Sequence, residues 1–261
     1  MYWELLSQIE KDYIEFLYKG NCIKIGTFKL KSGRDSPYFI EMQESFDSIA
    51  LPIVGNAYAS KISGEFTPHS FDIILGPAEK GTGLAIAACL HLPSSFGKIP
   101  IVWDRKQPKD YGTQKRPSWI VGSNTQLRDL VRRKKTIKVI VIDDVITTGA
   151  TKKDIMNKFE QELNILSEDL NLTYKPEVKW LKIFISANRR EKDEMGRNPI
   201  EVFEGELDVP IGWITDSYNI FGHLQKIGII NKKSLANYIA YCKQYGLQED
   251  KGRLEELCTI L

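Results

Sequence analysis

The sequence predicts an α/β fold built on a central, mostly parallel sheet flanked by helices. Two observations carry that expectation. Short β-branched runs recur at Phe71–Leu75, Ile99–Trp103, Val139–Ile142 and Leu181–Ile185. Helical patterns lie between them, and strand and helix patterns that alternate in this way build βαβ units. Such sheets bind ligands at the carboxyl ends of their strands. The residues just after each run are therefore the informative ones.

The elements follow in order. Trp3, Leu6, Ile9, Tyr13, Phe16 and Leu17 repeat near 3.6 residues, and Gly20 is a stop signal, which predicts an N-terminal helix. Ile23–Leu30 reads as a strand, residues 31–37 as a charged turn, and Tyr38–Ile40 as a return to extended chain. Helices are predicted over Leu51–Ile62, over about Gly83–Leu92 and after Gly149. The polar stretch Glu160–Trp180 reads as surface elaboration. Val209–Phe221 reads as a late strand and the turn before a helix, and Leu235–Tyr245 as a terminal helix on the body. No repeat, low-complexity tract or linker interrupts the chain, so one domain spanning 1–261 is expected, with 1–50 as its N-terminal part and 51–261 as its core.

Composition narrows the function classes. A chain of 261 residues can bury a substantial core. The net charge of +2 argues against a general nucleic-acid binder. The basic run Arg128–Lys138 reads as a solvated turn. No stretch approaches the roughly 18 apolar residues that cross a bilayer. The N-terminus lacks the pattern of a signal peptide. Cys22, Cys89, Cys242 and Cys258 are scattered without metal-ligand spacing, which suits a reducing cytoplasm. His69, His91 and His223 lie outside every motif.

The most informative segment runs from Val139 to Thr151. A buried strand delivers Asp143 and Asp144 to its end. Val145, Ile146, Thr147, Thr148, Gly149, Ala150 and Thr151 then form a tight loop into a helix. Backbone N–H groups and threonine hydroxyls at a helix N-terminus make an anion cradle. Two carboxylates beside it make sense for a sugar phosphate, because they accept hydrogen bonds from ribose hydroxyls. The Walker A pattern is absent.

This string resembles the signature by which type I phosphoribosyltransferases bind phosphoribosyl pyrophosphate (PRPP). The resemblance implies their fold, with a small N-terminal hood. It implies a ribose role for Asp143 and Asp144 and a 5′-phosphate role for Thr147 through Thr151.

Three further segments are similar to the orotate phosphoribosyltransferase family. Phe28–Phe39, with Lys-Ser-Gly-Arg at its centre, resembles the hood segment. There the resemblance assigns Lys31 to the ligand phosphates and Phe39 and Ile40 to orotate. Gly76-Pro77-Ala78-Glu79-Lys80-Gly81 resembles the pyrophosphate loop, with Lys80 as the pairing cation. Glu79 stands where the family usually has Tyr. Asp104–Gly112 is similar to the mobile catalytic loop, with Arg105, Lys106, Lys109 and Tyr111 on PRPP and Lys109 catalytic beside Asp143 and Asp144. Tyr111 stands where the family commonly has His. Finally, Arg189 matches the arginine that binds the orotate carboxylate, with Thr147 also at the base, and Asn188 replaces the usual Asp. Arg suits a planar carboxylate because its fork donates twice.

The resemblance implies transfer of the phosphoribosyl group from PRPP to orotate, giving orotidine 5′-monophosphate in pyrimidine biosynthesis. It implies Mg2+, carried by PRPP and water with no direct protein ligand. It also implies a homodimer with loop exchange and an orotidylate decarboxylase as a candidate partner. Two other readings stay open at this point, a phosphoribosyltransferase for another base and a PRPP-binding regulator. Asp104-Arg105-Lys106 also begins like the D-x-K-x-x-D of orotidylate decarboxylases, but Asp110 comes one residue too late.

Overall fold

The computed structural model describes residues 2–30, 32–42, 46–109, 117–145 and 150–261. A 3-10 turn at Tyr2–Glu4 leads into helix α1 (Gln8–Lys19). The Ser7 hydroxyl accepts from the Glu10 N–H at its start, and Gly20 closes its end by donating to the Phe16 carbonyl. Strands β1 (Ile23–Lys29) and β2 (Asp35–Ile40) form a separate antiparallel hairpin.

The body is a six-stranded sheet. Its order is β5 (Ser118–Val121), β4 (Ile101–Lys109), β3 (Ile73–Leu75), β6 (Thr136–Asp143), β7 (Glu177–Asn188) and β8 (Ile211–Asp216). Every pairing is parallel except that of β4 with β5.

Alternation along the strands explains why helices cover both faces. Ile74, Ile140, Ile142 and Phe184 point to one core, which is filled from α2 (Ala50–Glu65) and α3 (Lys80–His91). Ile73, Leu75, Val139, Val141, Ile183 and Ile185 point to the other. That second core takes side chains from α4 (Arg128–Arg133), α5 (Ala150–Asp169) and α6 (Pro199–Leu207). A strand apolar on both faces is stable only when both are covered. Helices α2 and α3 approach closely at Gly55, where a Cβ would lie 2.7 Å from the Ala87 carbonyl carbon.

The C-terminal helices hold the hairpin. Tyr38 of β2 packs edge-on against Phe221 of α7 (Ser217–Lys226) and against Tyr238 and Tyr241 of α8 (Lys232–Tyr245). At the hairpin turn, Arg34 donates from Nη1 to the Lys192 carbonyl (2.7 Å) and from Nη2 to the Asp193 carbonyl (2.8 Å).

Several sequence expectations need correction. Arg105, Lys106 and Lys109 do not lie in a loop. They lie on β4, which runs past the parallel sheet and folds back on β5 as an antiparallel arm with a register shift between Asp104 and Lys109. Polar composition and Pro108 masked this strand, whose hydrogen bonds come from a partner too short to recognise. The basic run is not a solvated turn. It forms α4 and the start of β6, and Lys134 pairs with the buried Asp72 at 2.5 Å. The stretch from Glu160 is not mere surface. Helix α5 continues to Asp169 and buries Leu163 and Leu166 in the second core. Helix α8 is followed by α9 (Lys251–Thr259), so it is not terminal. Helix α3 begins at Lys80, three residues earlier than its apolar pattern suggested.

Candidate active site

Parallel topology brings the ends of β3, β6 and β7 to one edge. Asp143 is the last residue of β6, and both it and Asp144 are buried. Buried carboxylates need partners, and each has a lysine. Lys152 Nζ lies 2.6 Å from Asp143 Oδ2 and donates to the Val145 carbonyl at 2.7 Å. Lys80 Nζ lies 2.9 Å from Asp144 Oδ2. The remaining oxygens accept backbone N–H groups: Asp143 Oδ1 from Asp144 (2.9 Å), and Asp144 Oδ1 from Val145 (2.7 Å).

The main chain here is fixed from three sides. Tyr58 of α2 donates its hydroxyl to the Asp143 carbonyl at 2.7 Å. The Ser186 N–H of β7 donates to the Asp144 carbonyl at 2.8 Å, and the Ser186 hydroxyl meets the Tyr13 hydroxyl at 2.6 Å. Gly81 allows α3 to reach this strand end. A Cβ there would sit 2.7 Å from the Ile142 carbonyl oxygen and 3.2 Å from Asp143 Oδ1. Burial pushes the Asp143 carboxyl above its ordinary range, while the Lys152 ammonium pulls against that rise.

The arm of β4 and β5 is anchored beside this centre. Asp104 Oδ1 accepts the Ala78 N–H at 2.7 Å, which ties the arm to the turn after β3. Lys158 of α5 reaches Asp104 Oδ2 at 3.3 Å and lies over the Trp119 ring. One turn on, the buried Glu162 accepts from Ser118 Oγ (2.8 Å), from the Trp119 N–H (3.2 Å) and from Ser123 Oγ. Lys106 on the arm pairs with Glu79, next to Lys80.

A second cationic centre follows β7. Arg189 contacts Glu191 through Nε (3.0 Å) and Nη2 (2.9 Å), reaches Ser36 Oγ (3.1 Å), and lies 4.2 Å over the Tyr38 ring. Glu191 also accepts from the hydroxyls of Tyr38 (2.6 Å) and Tyr241 (2.9 Å). Arg190 turns the other way, to Asp250 and Glu249, at a left-handed turn (φ 56°) just past the end of β7.

These features sit on a chain with clear relatives. A family model described as PRTase-CE matches residues 110–257. The orotate phosphoribosyltransferase of Bifidobacterium longum is 30% identical over 245 residues, covering 90% of this chain and 96% of that protein. The chain belongs to the orotate phosphoribosyltransferase family. The Neurospora crassa orotate phosphoribosyltransferase is 35% identical over 171 residues, which cover 62% of this chain and 67% of the relative. Among solved structures, the orotate phosphoribosyltransferase of Francisella tularensis superposes with a TM-score of 0.64 at 25% identity, covering 90% and 99% of the two chains. The fold is thus the α/β phosphoribosyltransferase fold, and the family is one of pentosyltransferases.

Of the site residues expected from sequence, Asp143, Asp144, Val145 and Lys80 come together at the β6 end. Lys106 joins them through Glu79. Arg105 and Lys109 lie on the same arm, and the Arg105 Nε is buried with no hydrogen-bond partner among the described residues. Ala150 and Thr151 open helix α5. Lys31, Tyr111, Ile146, Thr147, Thr148 and Gly149 lie outside the described residues. Phe39 is partly exposed against Phe28, whereas the Ile40 side chain points into the core, so only its main chain faces outward.

Sequence reading missed Lys152, Glu191, Ser36, Tyr38 and Tyr58. Glu191 stood two residues after Arg189, a spacing that signals nothing without the turn between them. Lys152 lies in the first turn of a polar helix, where a lysine reads as exposed. Among the described residues no three His, Cys, Asp or Glu side chains converge on a metal position. None of their helices is long and apolar enough to cross a membrane.

Proposed function

We propose that the protein transfers the 5-phosphoribosyl group of PRPP to orotate. The observation that carries this reading is the Asp144–Lys80 ion pair at the mouth of the parallel strands, 33% exposed on the lysine side and 11% on the aspartate side. It unites a ribose-binding carboxylate with a pyrophosphate-binding cation, and it is open enough to exchange partners.

In the proposed reaction the 5′-phosphate lies on residues 147–151 and the ribose hydroxyls meet the aspartates. Lys80, Arg105, Lys106 and Lys109 surround the pyrophosphate, and Lys31 and Tyr111, which lie outside the described residues, are also assigned to PRPP. The C1′–O bond breaks, its electron pair leaving with pyrophosphate. The ribose becomes oxocarbenium-like, and orotate N1 supplies the pair for the new C1′–N1 bond. The cations stabilise charge on the leaving group as the arm excludes water. Arg189 holds the orotate carboxylate, with Phe39 and the Ile40 main chain beside the ring. Inversion at C1′ needs no covalent enzyme intermediate.

Magnesium belongs to this proposal. Both aspartates at the β6 end are already paired with lysines, which fits a metal carried by substrate oxygens and water. Asp144 is the residue able to meet its water shell. Bound there, Mg2+ would neutralise charge on the pyrophosphate.

A homodimer with arm exchange is proposed on two grounds, the family likeness and an apolar strip on α3. Ile86 is 39% and Leu90 78% exposed, and Phe46 lies across Gly83 on the same face. A reducing cytoplasm suits four cysteines that form no disulfide with one another. The product keeps a carboxylate on its pyrimidine, so an orotidylate decarboxylase is the partner proposed to consume it.

The test is loss of orotate near-ultraviolet absorbance on mixing protein, PRPP and Mg2+. Loss that requires all three supports the reading. No loss, with PRPP still binding by calorimetry, would shift the assignment to another base or to a PRPP-binding regulator.

A further inference from the structure

Lys152 is the third residue of α5, a position where a lysine ordinarily points into water. Here its side chain is 7% exposed, as is that of Asp143. An ammonium buried this deeply persists only when its protons are taken up. Two partners do so: Asp143 Oδ2 at 2.6 Å, before the phosphate segment, and the Val145 carbonyl at 2.7 Å, at its beginning. The side chain thus reaches back from the far end of the segment to its start.

The two lysine–aspartate pairs are not equivalent. Lys80 is one-third exposed and can turn to an incoming pyrophosphate, leaving Asp144 to accept hydrogen bonds from the ribose. Lys152 is enclosed and has no such freedom. We propose that Lys152 is a positioning residue of the phosphoribosyl site: its buried ammonium keeps Asp143 ionised and fixed at the start of the phosphate segment, so that Asp144 is the carboxylate released to the substrate.

The charge balance around Asp143 supports this assignment. Burial disfavours its charged form, and the adjacent Asp144 carboxylate adds repulsion. Tyr58 from α2 offers its hydroxyl to the Asp143 main-chain oxygen only. Tyr13 from α1 acts through Ser186. Lys80 from α3 is engaged by Asp144. Among the described residues, Lys152 supplies the cation in contact with the Asp143 carboxylate. Removing it would let the buried acid take up a proton at higher pH than in the wild type.

The inference rests on the PRPP-binding reading above, and the experiment separates the two. PRPP affinity and kcat/KM for PRPP are measured from about pH 5.5 to 9 for wild type, Lys152→Met, Lys152→Arg, Asp143→Asn and the double variant Lys152→Met/Asp143→Asn. Wild-type protein that binds no PRPP would sink the reading itself, whatever the variants do. If wild type binds, Lys152→Met is expected to lose affinity at acid pH and recover it as pH rises, its midpoint displaced upward by about one to three pH units. Lys152→Arg should restore the wild-type profile. Asp143→Asn should bind PRPP equally with and without Lys152, because the lysine acts through the aspartate. A Lys152→Met protein that melts earlier but keeps the wild-type PRPP affinity and pH profile overturns the proposal and leaves Lys152 a structural counter-ion. Should Lys152→Met not fold, the comparison of Asp143→Asn with the double variant decides alone: a tenfold difference between them overturns it.

Discussion

Arg189 meets a single oxygen of Glu191 with two of its nitrogens, Nε at 3.0 Å and Nη2 at 2.9 Å. Because both bonds fall on one edge of the guanidinium, the end of the fork is not used by Glu191. Tyr38 and Tyr241 hold Glu191 in turn, so elements β2, α8 and the β7 end together aim one arginine. At that end Nη2 also donates to Ser36 Oγ at 3.1 Å, so in the proposed reaction the orotate carboxylate takes Nη1 and displaces the serine from Nη2. Arg189→Ala should raise KM for orotate about 10- to 100-fold, the usual worth of charged hydrogen bonds, with KM for PRPP little changed. Glu191→Gln should raise it less, since the geometry survives and the counter-charge does not. Steady-state kinetics with each substrate varied checks both, and unchanged orotate KM in Arg189→Ala would remove the base-site assignment.

Lys109 is the last residue of β4 and pairs with Ser118 of β5. In the proposed reaction its charge acts on the leaving group. Lys109→Ala should lower kcat about 10²- to 10³-fold, as loss of one preorganised transition-state contact does. PRPP affinity from calorimetry should change far less. Equal losses in both would make Lys109 a ground-state ligand.

How much of this could be read in the sequence differs from residue to residue for physical reasons. The strand ends at Leu75 and Asp143 were legible because β-branched runs stop at Gly-Pro and Asp-Asp, and parallel strands concentrate ligands there. Arg189 and Arg190 point apart, but they do so past the end of β7 at a left-handed turn (φ 56° at Arg190), which strand alternation does not foretell. The arm was not legible: β4 past Asp104 is held by its partner rather than by its own propensity, so charge and Pro108 made it look like a loop. Lys152 was hidden for another reason. Its burial depends on the fold bringing the α5 start back over the β6 end, which no local pattern encodes.

Glu79 pairs with Lys106, and both are well exposed. An exposed pair contributes little to stability, so in the proposed reaction its effect is to occupy a cation assigned to PRPP. Glu79→Gln should therefore lower KM for PRPP, by about fivefold at most, and the gain should shrink as salt screens the pair. A higher KM at low salt would mean that Glu79 orients Lys106 rather than competing for it.

Leu90 leaves most of its surface in water on the strip shared with Ile86 and Phe46. If that strip is the proposed dimer contact, Leu90→Glu buries a charge against an apolar partner and should shift sedimentation from dimer to monomer. Activity should fall with it, because the arm would no longer reach a neighbouring site. A Leu90→Glu protein that sediments as wild type would place the dimer contact elsewhere.

Glu162 joins α5 to the arm through three donors, the hydroxyls of Ser118 and Ser123 and the Trp119 N–H. Glu162 is 3% exposed, so water cannot replace its carboxylate for the groups it satisfies. Glu162→Leu strands those donors beside an apolar side chain. The cost is on the order of 3 kcal/mol, which for a chain of this size lowers the melting temperature by roughly 6–12 °C. Ser118 pairs in register with Lys109, so loosening this end of the arm should also reduce kcat more than it raises KM for orotate. Glu162→Gln keeps one acceptor and should fall between. Calorimetric melting with parallel kinetics separates the two effects. A Glu162→Leu protein with lowered stability but wild-type kcat would mean that the arm finds its working position without help from α5.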